Sequence, residues 1–317
     1  MPNLATFARV VGAKGEDALA PVISLEQLTK SYGPRRGIVE LDLEVAAGEV
    51  FGYLGPNGAG KTTTIRILLD LIRPTSGQAR VFGLETTRHP VAIHRRTGYL
   101  PGEFALYDRL TGGETIAYFA HLRGGVDETY QARLIERLDL DPSRPYREYS
   151  KGNKQKVGLV VAFHHRPDLL VLDEPTSGLD PLVQQEFFGL VGEARADGRT
   201  VFLSSHIVGE VERCCDRAGI IREGRLVRVD RVETLRDLSV HRIEFRFARP
   251  VEPGRFARLA GVSRVVCDDR ALRMDIRGAI APAVKLAATF DLLDMSSEEP
   301  GLEEVFLAEY RRDADDR

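Results

Sequence analysis

The chain lacks the marks of a membrane-spanning, secreted or nucleic-acid-bound protein. No run approaches the roughly 20 consecutive apolar residues that a membrane-spanning helix needs. The longest runs, residues 157–163 and 169–172, have the size of core segments. The stretch Phe7-Ala8-Arg9-Val10-Val11 breaks at Gly12, short of a secretory h-region, so no signal peptide is expected. A basic excess is missing as well. The 44 Lys and Arg stand against 47 Asp and Glu, for a formal net charge of −3, whereas a nucleic-acid binder usually shows a basic excess or stripe. Cysteine is scarce. Of three residues, Cys214 and Cys215 are adjacent and Cys267 stands alone. Adjacent cysteines rarely bridge and the spacing fits no zinc pattern, so reduced thiols in a cytosolic protein are expected. No repeat, low-complexity tract, heptad insertion or Cys-rich module interrupts the chain. Any work at a membrane must then pass through a partner.

What is present is ample core material. With 317 residues, 43% of them hydrophobic, the chain is long for one domain, and one large and one small domain are expected. Residues 1–21 mix small and charged residues without a sustained period, which predicts a flexible extension. From Val22 the pattern changes. Residues 22–26 and 39–45 read as strands, the second with Leu41, Leu43 and Val45 alternating. Residues 49–54 read as a buried strand running into a Gly-rich loop. Ile65, Leu68, Leu69 and Ile72 then recur at helical spacing.

Residues 104–165 are expected to be mostly helical, and Thr111-Gly112-Gly113-Glu114 fits a capping box. A strand over 169–172, a helix over 181–196, a strand over 201–203 and a helix over 207–215 follow. This alternation predicts a mostly parallel sheet covered on both faces. From about residue 240 the texture differs. Ile243, Phe245 and Phe247 alternate with Glu244 and Arg246. Strands over 241–247, 262–267, 270–276 and 292–296, with helices over 254–259 and 279–290, give the ferredoxin-like β-α-β-β-α-β order. A terminal helix over 302–310 would present Leu302, Val305 and Phe306 on one face.

The chemistry is concentrated in the first part. Gly55-Pro56-Asn57-Gly58-Ala59-Gly60-Lys61-Thr62 matches G-x-x-x-x-G-K-[ST] in full, between a predicted strand and a predicted helix. Glycines let the backbone wrap a phosphate closely. Turned N–H groups and the helix N-terminus aim partial positive charge at it. In this motif Lys61 reaches the β- and γ-phosphates of a nucleotide and the Thr62 hydroxyl ligates Mg²⁺, with Thr63 next to them. A second element, Leu169-Leu170-Val171-Leu172-Asp173-Glu174, is an apolar strand ending in two carboxylates. Asp173 is placed to hold Mg²⁺ through a water. Glu174 is placed to orient or deprotonate the attacking water. An acidic pair after a strand is weak evidence alone; beside a complete phosphate loop it is strong.

These residues resemble the nucleotide-binding subunits of ATP-binding-cassette transporters over 22 to about 235. The resemblance implies an α/β P-loop cassette over 22–238, with its helical subdomain over about 104–165, and a small α+β regulatory or dimerisation domain over 239–312. It implies ATP and Mg²⁺ as the bound groups. Tyr32 sits where the family places the aromatic that stacks on adenine. Tyr149-Ser150-Lys151-Gly152-Asn153 falls at the family signature, usually Leu-Ser-Gly-Gly-Gln, and keeps the Ser150 hydroxyl and the second glycine, Gly152. Those groups meet the γ-phosphate of a second subunit, so the resemblance implies a head-to-tail dimer, expected to be of two copies of this chain. Ser177-Gly178-Leu179-Asp180 is similar to the family's D-loop, and His206 to its switch histidine at the γ-phosphate. Where the family has a glutamine that touches Mg²⁺, this chain has Gly102 and then Glu103. Either Glu103 substitutes for it or water fills the coordination shell.

The variant signature and Leu302-Glu303-Glu304-Val305-Phe306-Leu307 are similar to the daunorubicin and multidrug efflux branch. That branch implies a separate integral membrane permease, a peripheral place on the cytoplasmic face of the cell membrane, and export of an amphipathic compound. No nucleic-acid partner is expected. A soluble cassette ATPase acting on DNA or ribosomes usually carries coiled-coil or zinc insertions, or two cassettes, and none is found here. A binding module without hydrolysis is opposed by Lys61, Asp173, Glu174 and His206 together.

Overall fold

The computed structural model describes residues 20–33, 35–103, 108–237 and 240–298. The expected terminal helix, and almost all of the expected N-terminal extension, lie outside them. In chain order the cassette begins with β1 (Ile23–Tyr32), β2 (Arg35–Val45), β3 (Val50–Leu54), α1 (Lys61–Leu68), β4 (Ser76–Val81), β5 (Leu84–Glu85), α2 (Pro90–Arg95) and β6 (Thr97–Leu100). Helices α3 (Gly112–Leu122), α4 (Glu128–Arg137) and α5 (Lys151–Phe163) follow. Then come β7 (Leu169–Asp173), α6 (Pro181–Ala196), β8 (Thr200–Ser205), α7 (Val208–Cys214), β9 (Arg217–Arg222), β10 (Arg225–Arg231) and α8 (Val232–Asp237). The last stretch holds β11 (Val240–Phe247), α9 (Gly254–Ala257), β12 (Val262–Asp268), β13 (Ala271–Arg277), α10 (Ala281–Ala287) and β14 (Leu292–Glu298). Among the described residues no helix is long and apolar enough to cross a membrane.

The central sheet runs β10-β9-β3-β8-β7-β6. Its ladders are parallel except for the β9–β10 hairpin. Its core strands β3, β7 and β8 are buried at every position, and mostly apolar, because both faces are covered. On β7, Leu169 and Val171 point into one core, and Leu170 and Leu172 into the other. Phe51, Tyr53 and Phe202 likewise share the first core, where Phe51 stacks on Phe202 at 5.8 Å between ring centroids. That core is closed by α1 and by a second, antiparallel sheet of order β2-β1-β4-β5. The second sheet comes in addition to the mostly parallel sheet that the sequence predicts. Ser76–Val81 buries only Ala79 and Val81, so its apolar signal is slight. The other core lies under the helical region, where the predicted capping box forms at Thr111 and Glu114.

In the last stretch the elements come in β-α-β-β-α-β order, and the sheet runs β12-β13-β11-β14, antiparallel throughout. Ile243, Phe245 and Phe247 face inward with Phe256, Leu272, Met274 and Ile276, and form a hydrophobic cluster of their own. The three cysteines are free thiols.

Candidate nucleotide site

Strand β3 delivers the chain from the middle of the central sheet into the loop at residues 55–60. Gly60 is the N-cap of α1 at φ 114°, and a Cβ there would lie 2.7 Å from Ile38 Cγ2. Only glycine fits that left-handed, crowded position. No side chain caps the helix, so its first-turn N–H groups are free to meet an anion. The loop encloses a cavity of about 170 Å³ lined by Pro56, Asn57, Gly58, Gly60, Lys61, Thr62 and Thr63, with Gly37 and Glu174 at its walls. Buried Ala59 shapes the loop from behind, its carbonyl accepting from Gly224 N–H at 2.9 Å. Gly55 is tied at its own N–H to Ser205 O at 3.1 Å.

Strand β7 brings the two acids to the same place. Asp173 is 1% exposed. One of its oxygens accepts from Thr62 Oγ1 at 2.8 Å and the other from the Ser204 hydroxyl. This oxygen-only set suits a hard divalent cation. A side-chain Cβ at Gly102 would sit 3.3 Å from Asp173 Oδ2, so glycine leaves space beside the carboxylate that a larger residue would take. Glu103 is exposed. Among the described residues no group of three His, Cys, Asp or Glu side chains gathers to hold a metal. The Thr62 hydroxyl and the Asp173 carboxylate would fit Mg²⁺, which usually takes one or two protein oxygens and fills its shell with phosphate and water. Burial, with the Asp173 charge added to it, pushes the Tyr99 phenol up to about 12.

Glu174 adopts φ 50°, a left-handed conformation that costs a non-glycine residue about 1–3 kcal/mol. Its backbone is held there. Its N–H donates to Ser204 O at 3.1 Å, and its carbonyl accepts from Gln155 Nε2 at 3.1 Å and from Ser177 N–H at 3.2 Å. The twist turns the carboxylate out of the strand and onto the cavity wall. There Oε1 lies 3.0 Å from Lys61 Nζ, and His206 Nδ1 lies 2.6 Å from Oε2. Lys61, 5% exposed, also donates to Gly55 O at 2.5 Å and to Pro56 O at 3.2 Å. Lys61, Thr62, Asp173, Glu174 and His206 are therefore one contiguous group.

The remaining candidates lie apart from it. Tyr32 ends β1, 45% exposed, outside the residues lining the cavity. It approaches the cavity through Gly37, whose Cβ would lie 3.2 Å from Tyr32 Cδ2. Ser150 caps α5, accepting from Asn153 N–H at 3.2 Å. Asp180 caps α6, accepting from Leu182 and Val183 N–H at 3.1 Å each; these donors hold its carboxyl below the usual range. Gly152 is packed against the D-loop, where a Cβ would come within 2.4 Å of Gly178 O. Lys151, at a position that is glycine in the usual signature, donates to Ser177 Oγ at 2.8 Å. None of these signature and D-loop residues lines the cavity of its own chain. The sequence pattern did not single out Ser204 or Gln155. The available signal was two buried hydroxyls, Ser204 and Ser205, closing an otherwise apolar strand.

Residues 38–177 match the family described as ABC transporter. The bacitracin transport ATP-binding protein BcrA of Bacillus licheniformis is 37% identical over 236 residues, which cover 73% of this chain and 76% of that protein. The chain belongs to the ABC transporter ATP-binding proteins. This ABC ATPase is also similar to the daunorubicin resistance ATP-binding protein DrrA3 of Streptomyces coeruleorubidus, 32% identical over 299 residues, 90% of this chain and 94% of that one. A solved ATP-binding subunit of an ABC transporter matches at a TM-score of 0.62 and 31% identity, covering 68% of this chain and 92% of that one. The fold is the cassette, the nucleotide is ATP, and the chain is an ATPase.

Proposed function

We propose that this ABC ATPase binds Mg·ATP at the 55–63 loop and hydrolyses it as half of a head-to-tail pair that drives a separate membrane permease. One observation carries the reading: the Glu174 carboxylate is shared between Lys61 and His206 at the wall of the phosphate cavity. Lys61 faces the β- and γ-phosphates. Its contacts to two carbonyls and to Glu174 are those an entering phosphate would take over. Glu174 orients the attacking water and accepts its proton, and His206 holds Glu174 and meets the γ-phosphate. Thr62 and Asp173 hold Mg²⁺, which when bound neutralises the charge developing on the phosphates. Tyr32 supports the adenine. Ser150, Gly152 and Asp180 serve the nucleotide bound by the second copy, since within their own chain they lie off the cavity.

The permease is an integral membrane protein, and the pair docks on it from the cytoplasmic face. Relatives named for bacitracin transport and daunorubicin resistance favour export of an amphipathic, drug-like compound. The sheet β12-β13-β11-β14, with its separate cluster, is read as the core of a regulatory or dimerisation module over 239–312. Purification of the full chain with a co-expressed multi-spanning partner tests the whole. Phosphate release should rise several-fold with particular amphipathic compounds, and only with the partner present. Turnover that instead responds to DNA or ribosomes, with no membrane partner retained, overturns the transporter reading.

A further inference from the structure

Glu210 is a charged side chain that the chemistry above does not use, yet it lies against it. It belongs to α7 and is 7% exposed. A carboxylate is costly to bury unless its oxygens accept hydrogen bonds. Both do. Oε1 accepts from the Thr176 hydroxyl, and Oε2 accepts from Ser205 Oγ at 2.6 Å. Those hydroxyls are buried too, at 4% and 0% exposure. Their positions are telling: Thr176 is two residues past Glu174, and Ser205 immediately precedes His206. Ser205 is oriented by Ile207 N–H at 2.9 Å, and its carbonyl holds Gly55 N–H at 3.1 Å. Thr176 O accepts from Leu179 N–H at 3.0 Å within the D-loop. The carboxylate therefore staples the segment carrying Glu174 to the segment carrying His206. The staple lies on the protein side, and the 2.6 Å Glu174–His206 contact on the cavity side.

We propose that Glu210 is a positioning residue for hydrolysis: by bridging Thr176 and Ser205 it sets the separation of Glu174 and His206. The inference rests on the proposed roles of those two residues. Displacing a catalytic group by about 1 Å can cost about 10²-fold in rate. Glu210→Ala, in the full chain, should lower kcat for ATP by about 10- to 100-fold. The equilibrium Kd for Mg·ATP should stay within about threefold, because the phosphate loop keeps its own contacts. Glu210→Gln can still bridge, accepting from Ser205 and donating to Thr176, so it should retain most of kcat. Thr176→Val removes one arm with little change of volume and serves if Glu210→Ala fails to fold; it should lower kcat in the same selective way.

A double-mutant cycle separates positioning from general support. In a His206→Ala background, Glu210→Ala should cost little more, because the contact it maintains is gone. Equal losses in both backgrounds, or parallel losses of ATP affinity and kcat, would overturn the proposal. Wild-type kcat in both Glu210→Ala and Thr176→Val would do so as well. If Glu174→Gln itself keeps full turnover, the underlying assignment of the base has failed; if Glu174→Gln is inactive and Glu210→Ala is normal, only the staple has.

Discussion

Glu174→Gln isolates one proton acceptor in an otherwise preserved frame. The substitution keeps length and shape, and the backbone bonds that fix φ 50° involve no side-chain atom of residue 174. The amide can still meet His206 through its oxygen or its nitrogen. What disappears is the base and the charge facing Lys61. Loss of a general base typically costs about 10²–10⁴-fold, or about 3–5 kcal/mol of barrier at 1.36 kcal/mol per decade. The second loss acts in the opposite direction on binding. Lys61 is 5% exposed and pairs with a carboxylate that is 20% exposed. A charge-assisted contact contributes about 1.5–3 kcal/mol, and partial exposure of Glu174 reduces that to about 1 kcal/mol. A phosphate must displace Glu174 from Lys61 in the wild type but not in the mutant. The mutant should therefore bind Mg·ATP about fivefold more tightly, at 1.4 kcal/mol per decade, while turning over at least 100-fold more slowly. It should also gain more thermal stabilisation from saturating ATP. Calorimetric titration, phosphate release and melting curves on the same preparation decide the matter. Weaker binding accompanied by a proportionate fall in rate would show that Glu174 supports the loop rather than the water.

Three further outcomes are expected. Lys61→Ala should weaken ATP binding and turnover together; unchanged equilibrium binding of Mg·ATP would remove Lys61 from the site. Ser150→Arg puts bulk at the cap of α5 and should leave ATP binding intact while suppressing hydrolysis. Mixed with Lys61→Ala chains it forms heterodimers with one sound composite site, and activity should partly return; no return, with heterodimers detected by native mass spectrometry, counts against the head-to-tail arrangement. Phe256→Ala opens the aromatic cluster beside Phe245 and Phe247 and should destabilise that sheet by about 3–5 kcal/mol. Calorimetry should then show an early transition for it, while ATP binding by the cassette persists; simultaneous loss of nucleotide binding would show the two regions to be one cooperative unit.

The legible parts of this molecule are those where chemistry restricts residue type. A phosphate loop needs glycine, lysine and a hydroxyl at fixed offsets, so residues 55–62 declare themselves. Strands buried on both faces are mostly apolar, which marks residues 50–54 and 169–172. The hairpin of β9 and β10 was also within reach. Glu223 and Gly224 form its two-residue turn, both at positive φ, and Arg222 pairs with Arg225 across it. Its signal is blurred by arginine at the ends of both strands. Strands β4 and β5, the second at the sheet edge, carry almost no pattern because most of their residues are exposed or only half-buried. The contacts of Glu210, Gln155 and Lys151 were illegible for a different reason. The pairs Glu210–Thr176, Gln155–Glu174 and Lys151–Ser177 join residues 19 to 34 positions apart in the chain, and no local period records such a pairing.

The fit between the start of α5 and the D-loop has a mechanical meaning. Gly152 lies so close to Gly178 O that not even a methyl group fits between them, and Lys151 clasps Ser177 across the same seam. Two segments so closely apposed cannot slide past one another; they translate as one piece. Ser177 in turn is anchored by its N–H to the carbonyl of Glu174. In a head-to-tail pair, a chain that presses its Ser150 end onto a neighbour's nucleotide thereby loads the segment that begins at its own Glu174. In the proposed pair, news of one reaction centre would reach the other through the interior of a single chain, over a span of a few residues, with no separate messenger at the seam between subunits.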